Sequence, residues 1–288
     1  MARYAAWSRR LIGLTVMLAS AAYIAGAGAQ TPASPPDFSS NGVGWDGSDD
    51  GFDFFLPVPG EQTPVTTDPK YPYVSNSIAR RTGKQANYHI SDVSDPNIKQ
   101  WAKDIMKKDN DEVLAGKVPF KPAQSCIPWG VPSLAQAGGP FFFVQSPKVV
   151  LMMQEGDRFA RHIWMNVPHS KTIKPSYYGE SVGHYEGGTL VIDTIGISTK
   201  AYVDFFRTPH TDQLHVVERW RLIDGGNRLA MHFTVDDPGT FNRPWQGTIT
   251  LKRNMTYDEG LGEKICQEAL LNPHIFEFDI PVEAKPDF

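Results

Sequence analysis

Residues 181–198 read SVGHYEGGTLVIDTIGIS, residues 215–238 read HVVERWRLIDGGNRLAMHFTVDDP, and residues 243–245 read RPW. These are short runs rich in Val, Ile, Thr and aromatic residues, separated by EGG, by a longer connection and by DGGN. Alternating β-formers between glycine-rich turns are the pattern of antiparallel hairpins. Working outward, the same pattern predicts strands at Phe141–Gln145, Val149–Glu155, Phe159–Asn166, Ser181–Glu186, Thr189–Ser198, His215–Ile223, Arg228–Asp237 and Trp245–Arg253. A further strand is expected near Gly262–Leu270, with a short tail strand at His274–Ile280. Many short strands joined mostly by tight turns predict a mainly β fold, an antiparallel meander closing into a barrel or a sandwich. Strand–helix–strand alternation is missing, which excludes doubly wound and α/β-barrel architectures.

Upstream of the strands, Asp95-Pro96 predicts a helix start, because Asp can cap and Pro is tolerated at the first helical position. Ile98, Trp101, Ala102 and Ile105 then fall on one face, and the helix is expected to end by Gly116. This is a packing helix. Residues 30–94 are rich in Pro, Gly and Asp without sustained periodicity, and read as an extended arm. Asp46–Gly51 imitates half of a calcium loop, but Pro57 stands where the bidentate glutamate belongs. The first 29 residues combine a basic head (Arg3, Arg9, Arg10), an apolar run from Leu11 and small residues at Ala27 and Ala29. That is the pattern of a secretory signal peptide cut before Gln30. The expected organisation is therefore a leader at 1–29, an arm at 30–94, and a helix plus β-barrel domain at 95–288.

Formal net charge is −4, and no Lys/Arg-rich run interleaves with aromatics, so nucleic acid is not an expected partner. No stretch after the leader is long and apolar enough for a membrane helix, so no span is expected in the mature chain. The localisation expected is periplasmic or secreted. An oxidising compartment permits a disulfide between Cys126 and Cys266, while two buried thiols are the other reading.

Side chains alternate across a strand, so each run divides into two faces. The more apolar faces read Phe159/Arg161/Ile163/Met165, Val191/Asp193/Ile195/Ile197, Val216/Glu218/Trp220/Leu222 and Leu229/Met231/Phe233/Val235/Asp237. Each carries one ionisable residue. A buried charge must pair, lose its charge or meet a ligand. The bland outcome is an ion-pair network inside the barrel, with Arg161 neutralising one or two acids. The sharper one is a polar site at the end of an apolar cavity, with Asp193 and Glu218 as acid–base groups and Arg161 orienting a carboxylate or carbonyl. His169 and His210 stand beside Pro168 and Pro209 in connections, where rim catalytic groups tend to occur. His184, His215, Asp237, Arg243, Trp220 and Trp245 complete the candidate ligand contacts. Arg243 is also expected to pair with an acid of Asp236-Asp237 and so close the last connection, with Trp245 packing inward. No HxH or HExxH spacing, nucleophile elbow, P-loop or Rossmann glycine pattern is present. No metal or cofactor is expected.

Four motifs together resemble a family: CxPxGxP at Cys126–Pro132, GHYEGGTLVIDT at Gly183–Thr194, LHVVERWR at Leu214–Arg221 and DDPxxxxRPW at Asp236–Trp245. They are similar to those of a large family of uncharacterised exported bacterial proteins. Its second motif more usually reads GxWEGDTLVVDT, so Tyr185 and Gly188 depart from it. That resemblance implies export, and no activity. A looser similarity of architecture is to calycin-like barrels, which hold small apolar ligands in their mouths. The expected function is accordingly an exported β-barrel that binds a small, partly apolar molecule in a polar-ended cavity. The alternatives are a cofactor-independent acid–base enzyme (isomerase, lyase or hydrolase) using the same cavity, and an envelope structural module without a ligand. Oligomeric state is left open.

Overall fold

The structure, a computed structural model, describes residues 34–39, 44–47, 54–122, 126–137, 140–155 and 159–253. The expected leader, the two C-terminal strands and Cys266 lie outside these residues, and with Cys266 the choice between a disulfide to Cys126 and two buried thiols. In chain order the elements are β1 (Trp45–Asp46), β2 (Leu56–Pro57), β3 (Thr66–Thr67), α1 (Asn76–Thr82), β4 (Ser91–Asp92) and α2 (Gln100–Leu114). The main strands follow as β5 (Phe141–Gln145), β6 (Val149–Gln154), β7 (Ala160–Met165), β8 (Glu180–Glu186), β9 (Thr189–Ile195), β10 (His215–Ile223), β11 (Arg228–Asp236) and β12 (Trp245–Arg253).

Strands β5 to β12 are neighbours in sequence order, and β1 pairs with both β5 and β12. The ring is thereby closed into a nine-stranded barrel. Closure comes from the arm: Trp45 sits opposite Phe141 on one side and Arg253 on the other. From Pro35 onward the arm and barrel belong to one compact unit. The turn chemistry is as the sequence demands. The β8–β9 hairpin turns on Gly187-Gly188, with Gly187 at φ 57°, a left-handed conformation that glycine adopts without steric cost. The meander is antiparallel except at β7–β8, which pair in parallel from Ile163↔Ser181 to Met165↔Gly183. The chain between them, 166–179, must therefore return the length of the barrel before β8 begins.

Register fixes what faces inward. Arg161, Ile163 and Met165 on β7 are buried, as are Leu190, Ile192 and Thr194 on β9, Val216, Glu218 and Trp220 on β10, and Leu229, Met231, Phe233 and Val235 on β11. This row corrects one expectation: on β9 the inward face is Leu190/Ile192/Thr194, so Asp193 points outward. The interior is a packed core, with Trp220 in edge contact with Phe143 and Phe233 in edge contact with Trp245.

The α2 helix starts later than expected. Asp95 accepts the Asn97 backbone N–H at 2.7 Å in a turn, and Gln100 is the first helical residue. Its buried face is Ala102, Met106 and Asn110, while Trp101 and Ile105 are exposed. The arm also contains a second helix, α1, which is short. Ser75 caps it by accepting from the Ile78 N–H at 3.2 Å, and Gly83 ends it at φ 68°.

Candidate functional site

The expected polar group inside the barrel exists. Arg161 donates from Nη1 to Glu218 Oε1 at 3.1 Å, and Nη2 pairs with Glu218 Oε2. Its Nε donates to Ser181 Oγ at 3.1 Å and Nη2 to Thr194 Oγ1 at 2.9 Å. Arg161 and Glu218 are each 1 % exposed. A bidentate pair with two further donors met by hydroxyls is close to self-sufficient. It is buried, with no solvent access to offer a substrate.

Asp193 joins a separate group on the outer surface. Its Oδ1 lies 3.0 Å from His169 Nε2 and 2.9 Å from His215 Nε2, and His169 Nδ1 lies 3.1 Å from Glu180 Oε1. Glu180 also accepts from Ser170, whose hydrogen bonds hold its carboxyl below the usual glutamate value. His169 thus clips the 166–179 connection to the sheet, with both ring nitrogens engaged by carboxylates. His184 is exposed and pairs with Glu186 at 3.0 Å.

The remaining candidates are structural in placement. Asp237 is buried in the turn after β11, not on that strand's inner face. Burial raises its pKa, but bonds from Thr211 N, Thr211 Oγ1, Thr240 Oγ1 and Gly239 N outweigh this and lower it overall. The expected Asp–Arg closure is replaced by Asn97, which bonds the Arg243 backbone N–H at 2.8 Å and its carbonyl at 3.1 Å. The Arg243 side chain is exposed. Trp220 and Trp245 are buried core residues. His210 is buried too. Its Nδ1 lies 2.8 Å from the Thr211 carbonyl, Nε2 makes no well-formed hydrogen bond, and burial lowers its pKa.

One cavity lies over the end of the barrel, between the arm, the segment before β5 and the connection from β9 to β10. It encloses about 60 Å³. Tyr73, His89, Phe120, Lys121, Trp129, Tyr202, Asp204, Phe205 and Arg207 line it. The 204–208 turn shapes its polar end. Asp204 accepts from Phe206 N at 2.9 Å and from Thr208 Oγ1 at 2.8 Å, and the turn throws Arg207 into a left-handed conformation at φ 63°. Such a conformation costs a non-glycine residue of order 1 kcal/mol and recurs at functional sites. Two stacked pairs form the walls: Tyr73 on His89 at 3.8 Å and Trp129 on Phe205 at 4.6 Å.

The electrostatics of this pocket are unusual for the molecule. Arg207 is buried, with Nη2 only 3.4 Å from the His89 carbonyl and Nε 3.6 Å from Asp109 Oδ2, and Nε lacks a hydrogen bond. Burial pushes the Asp204 carboxyl up to about 6, against the hydrogen bonds from Thr208. Burial first, then the charges of Arg207 and Lys121, pulls His89 down to about 3, so the ring is neutral. His89 Nδ1 is buried without a partner. None of these residues was singled out from sequence. The only local signal was the run FFRTPH at 205–210, two aromatics and an arginine within a proline-bounded connection.

No family model, no curated protein and no solved structure matches this chain. Among the described residues, no group of three or more His, Cys, Asp or Glu is arranged to hold a metal ion, and no helix is long and apolar enough to cross a membrane.

Proposed function

We propose that this protein is an exported β-barrel that binds a small, partly apolar molecule in the pocket over the barrel end. One observation carries the reading: a buried, under-bonded guanidinium, Arg207, faces a cavity walled by stacked aromatic rings. Apolar walls with a few convergent polar groups are what small-molecule sites are made of. The filled barrel interior is what a ligand-free module would also have, and it removes Arg161 and Glu218 from the list of contacts. It leaves the pocket above untouched. Acid–base chemistry is the second reading, favoured by Asp204, whose carboxyl lines the pocket and is pushed up to about 6 by burial. Binding is preferred because hydrogen bonds from Thr208 and Phe206 hold that carboxyl within its own turn.

Export is part of the proposal and rests on the basic, apolar and small-residue order of the first 29 residues, together with the motif resemblance. A mature N-terminus at Gln30, read by mass spectrometry of protein from the periplasm or the medium, is the expected result. For the site, native mass spectrometry against a small-molecule library compares the unaltered protein with Phe205→Ala and Asp193→Asn. Binding that is lost in Phe205→Ala and kept in Asp193→Asn supports the pocket. Loss in Asp193→Asn alone would move the site to the outer histidine cluster and overturn this assignment.

A further inference from the structure

Resting on the reading of this pocket as a binding site, we propose that its ligand is an organic carboxylate whose head group seats on Arg207. A guanidinium presents five donors in a planar fork that matches a carboxylate in two parallel bonds. Here the fork makes one long bond, to the His89 carbonyl at 3.4 Å, and its Nε makes none. The nearby acids do not complete it. Asp109 forms an ion pair with Nε at 3.6 Å, too long for a hydrogen bond, and Asp204 accepts from the Thr208 hydroxyl and the Phe206 N–H rather than from the guanidinium.

The rest of the pocket selects for the same chemistry. Lys121 places a second cation in the lining. His89 stays neutral, so Nδ1 in its protonated tautomer offers one donor without a further charge. About 60 Å³ is enclosed, less than the ~150 Å³ that holds a benzene ring. The closed end therefore takes a head group, and the apolar part of the ligand lies outward against Tyr73, Trp129 and Phe205. A carboxylate fits better than a phosphate ester. Asp204 and Asp109 flank Arg207, and a second negative charge would meet their repulsion.

The test is calorimetric titration of the full-length mature chain with benzoate and phenylacetate, beside their uncharged counterparts benzamide and 2-phenylacetamide, and phenyl phosphate. The acids are expected to bind at least about ten-fold tighter than the amides, the scale of one charge-assisted hydrogen bond. Arg207→Gln is expected to abolish that preference, weakening the acids at least about ten-fold more than the amides. Because Arg207 is buried in a strained turn, Lys121→Gln serves as a second variant at an exposed position. It is expected to weaken the acids about two- to five-fold more than the amides, as a partly screened charge would. Equal affinity for acids and amides overturns the carboxylate assignment and leaves the pocket as a binding site. Preference for phenyl phosphate overturns it in favour of a phosphate. Failure of all five probes overturns it as well, and the library comparison with Phe205→Ala then decides whether the pocket binds anything.

Discussion

Asp204 and His89 line one pocket, yet burial shifts their protons in opposite directions, and this has a measurable consequence for stability. His89 is held near 3 in the folded protein against an ordinary 6.5. Its contribution is complete above pH 6.5 and is lost as pH falls towards 3. Asp204 is raised to about 6 from 3.8. Its contribution is complete below pH 3.8 and is lost as pH rises through 6. Between pH 4 and 6 unfolding therefore takes up a proton at His89 and releases one at Asp204, and the two slopes cancel. Asp204→Asn keeps the acceptor for Thr208 but removes one slope. Relative to the unaltered protein, its stability is expected to rise with pH in this window by about 1.4 kcal/mol per unit. His89→Phe keeps the stack on Tyr73 and is expected to show the opposite slope. Urea unfolding at pH 4, 5 and 6 reads both, and parallel curves for all three proteins would refute the proton assignment. The Arg161–Glu218 pair offers a second test. Glu218→Gln leaves the guanidinium buried and half-paired, at an expected cost of about 3–5 kcal/mol. The double change Arg161→Met, Glu218→Leu removes both charges and is expected to cost far less, so a double variant weaker than the single one would contradict a purely structural pair.

At the scale of elements, strands were legible where apolar and polar residues alternate and glycine marks the turn. β5, β10 and β12 have the bounds that the sequence pattern predicts. β9 shows the limit. In LVIDTI both faces are apolar apart from Asp193 and Thr194, so alternation could not say which looks inward. The structure chooses the face whose threonine serves Arg161. The α2 start was misplaced because Asp95 uses its side chain for a local turn, an alternative open to any Asp beside a proline. The pocket was illegible for a different reason. Its walls come from residues 73, 89, 120–121, 129 and 202–207, which no local period connects. The parallel step from β7 to β8 was also invisible, since it depends on how the 166–179 connection is seated. That seat is specific: Ser176 N–H donates to the Gly196 carbonyl at 3.1 Å, and Ser198 N–H to the Ser176 carbonyl at 2.8 Å. Gly196 is at φ 68°, and a Cβ there would collide with Ile173. Gly196→Ala is expected to cost about 2–4 kcal/mol, combining left-handed strain with overpacking. It is also expected to speed hydrogen exchange at Ser176 and Ser198. An unchanged denaturation midpoint would mean that the connection is not held there.

For the whole molecule, the decisive feature is that the arm closes the barrel. Without β1, strand β5 and the Lys252–Arg253 end of β12 would present open edges at the seam, a liability for self-association. Trp45 fills that seam. It is fully buried, donates from Nε1 to the Phe38 carbonyl at 2.7 Å, and carries the Arg253 guanidinium over its ring at 4.9 Å. The same arm supplies Tyr73 and His89 to the pocket, so seam and pocket share one segment of chain. Two outcomes are expected to travel together. Trp45→Ala is expected to destabilise the protein by about 3–5 kcal/mol, the range for truncating a buried large aromatic. Trp45→Phe keeps most of the ring and loses the indole donor, and is expected to fall between. A chain beginning at Asp95 lacks β1, β2 and the arm's share of the pocket walls. It is expected to lose cooperative unfolding and to associate through the open seam, whereas a chain beginning at Gln30 stays cooperative. Calorimetry with light scattering on the two chains decides the matter. A cooperative, non-associating chain from Asp95 onward would show that the barrel closes on its own and that the arm serves the pocket alone.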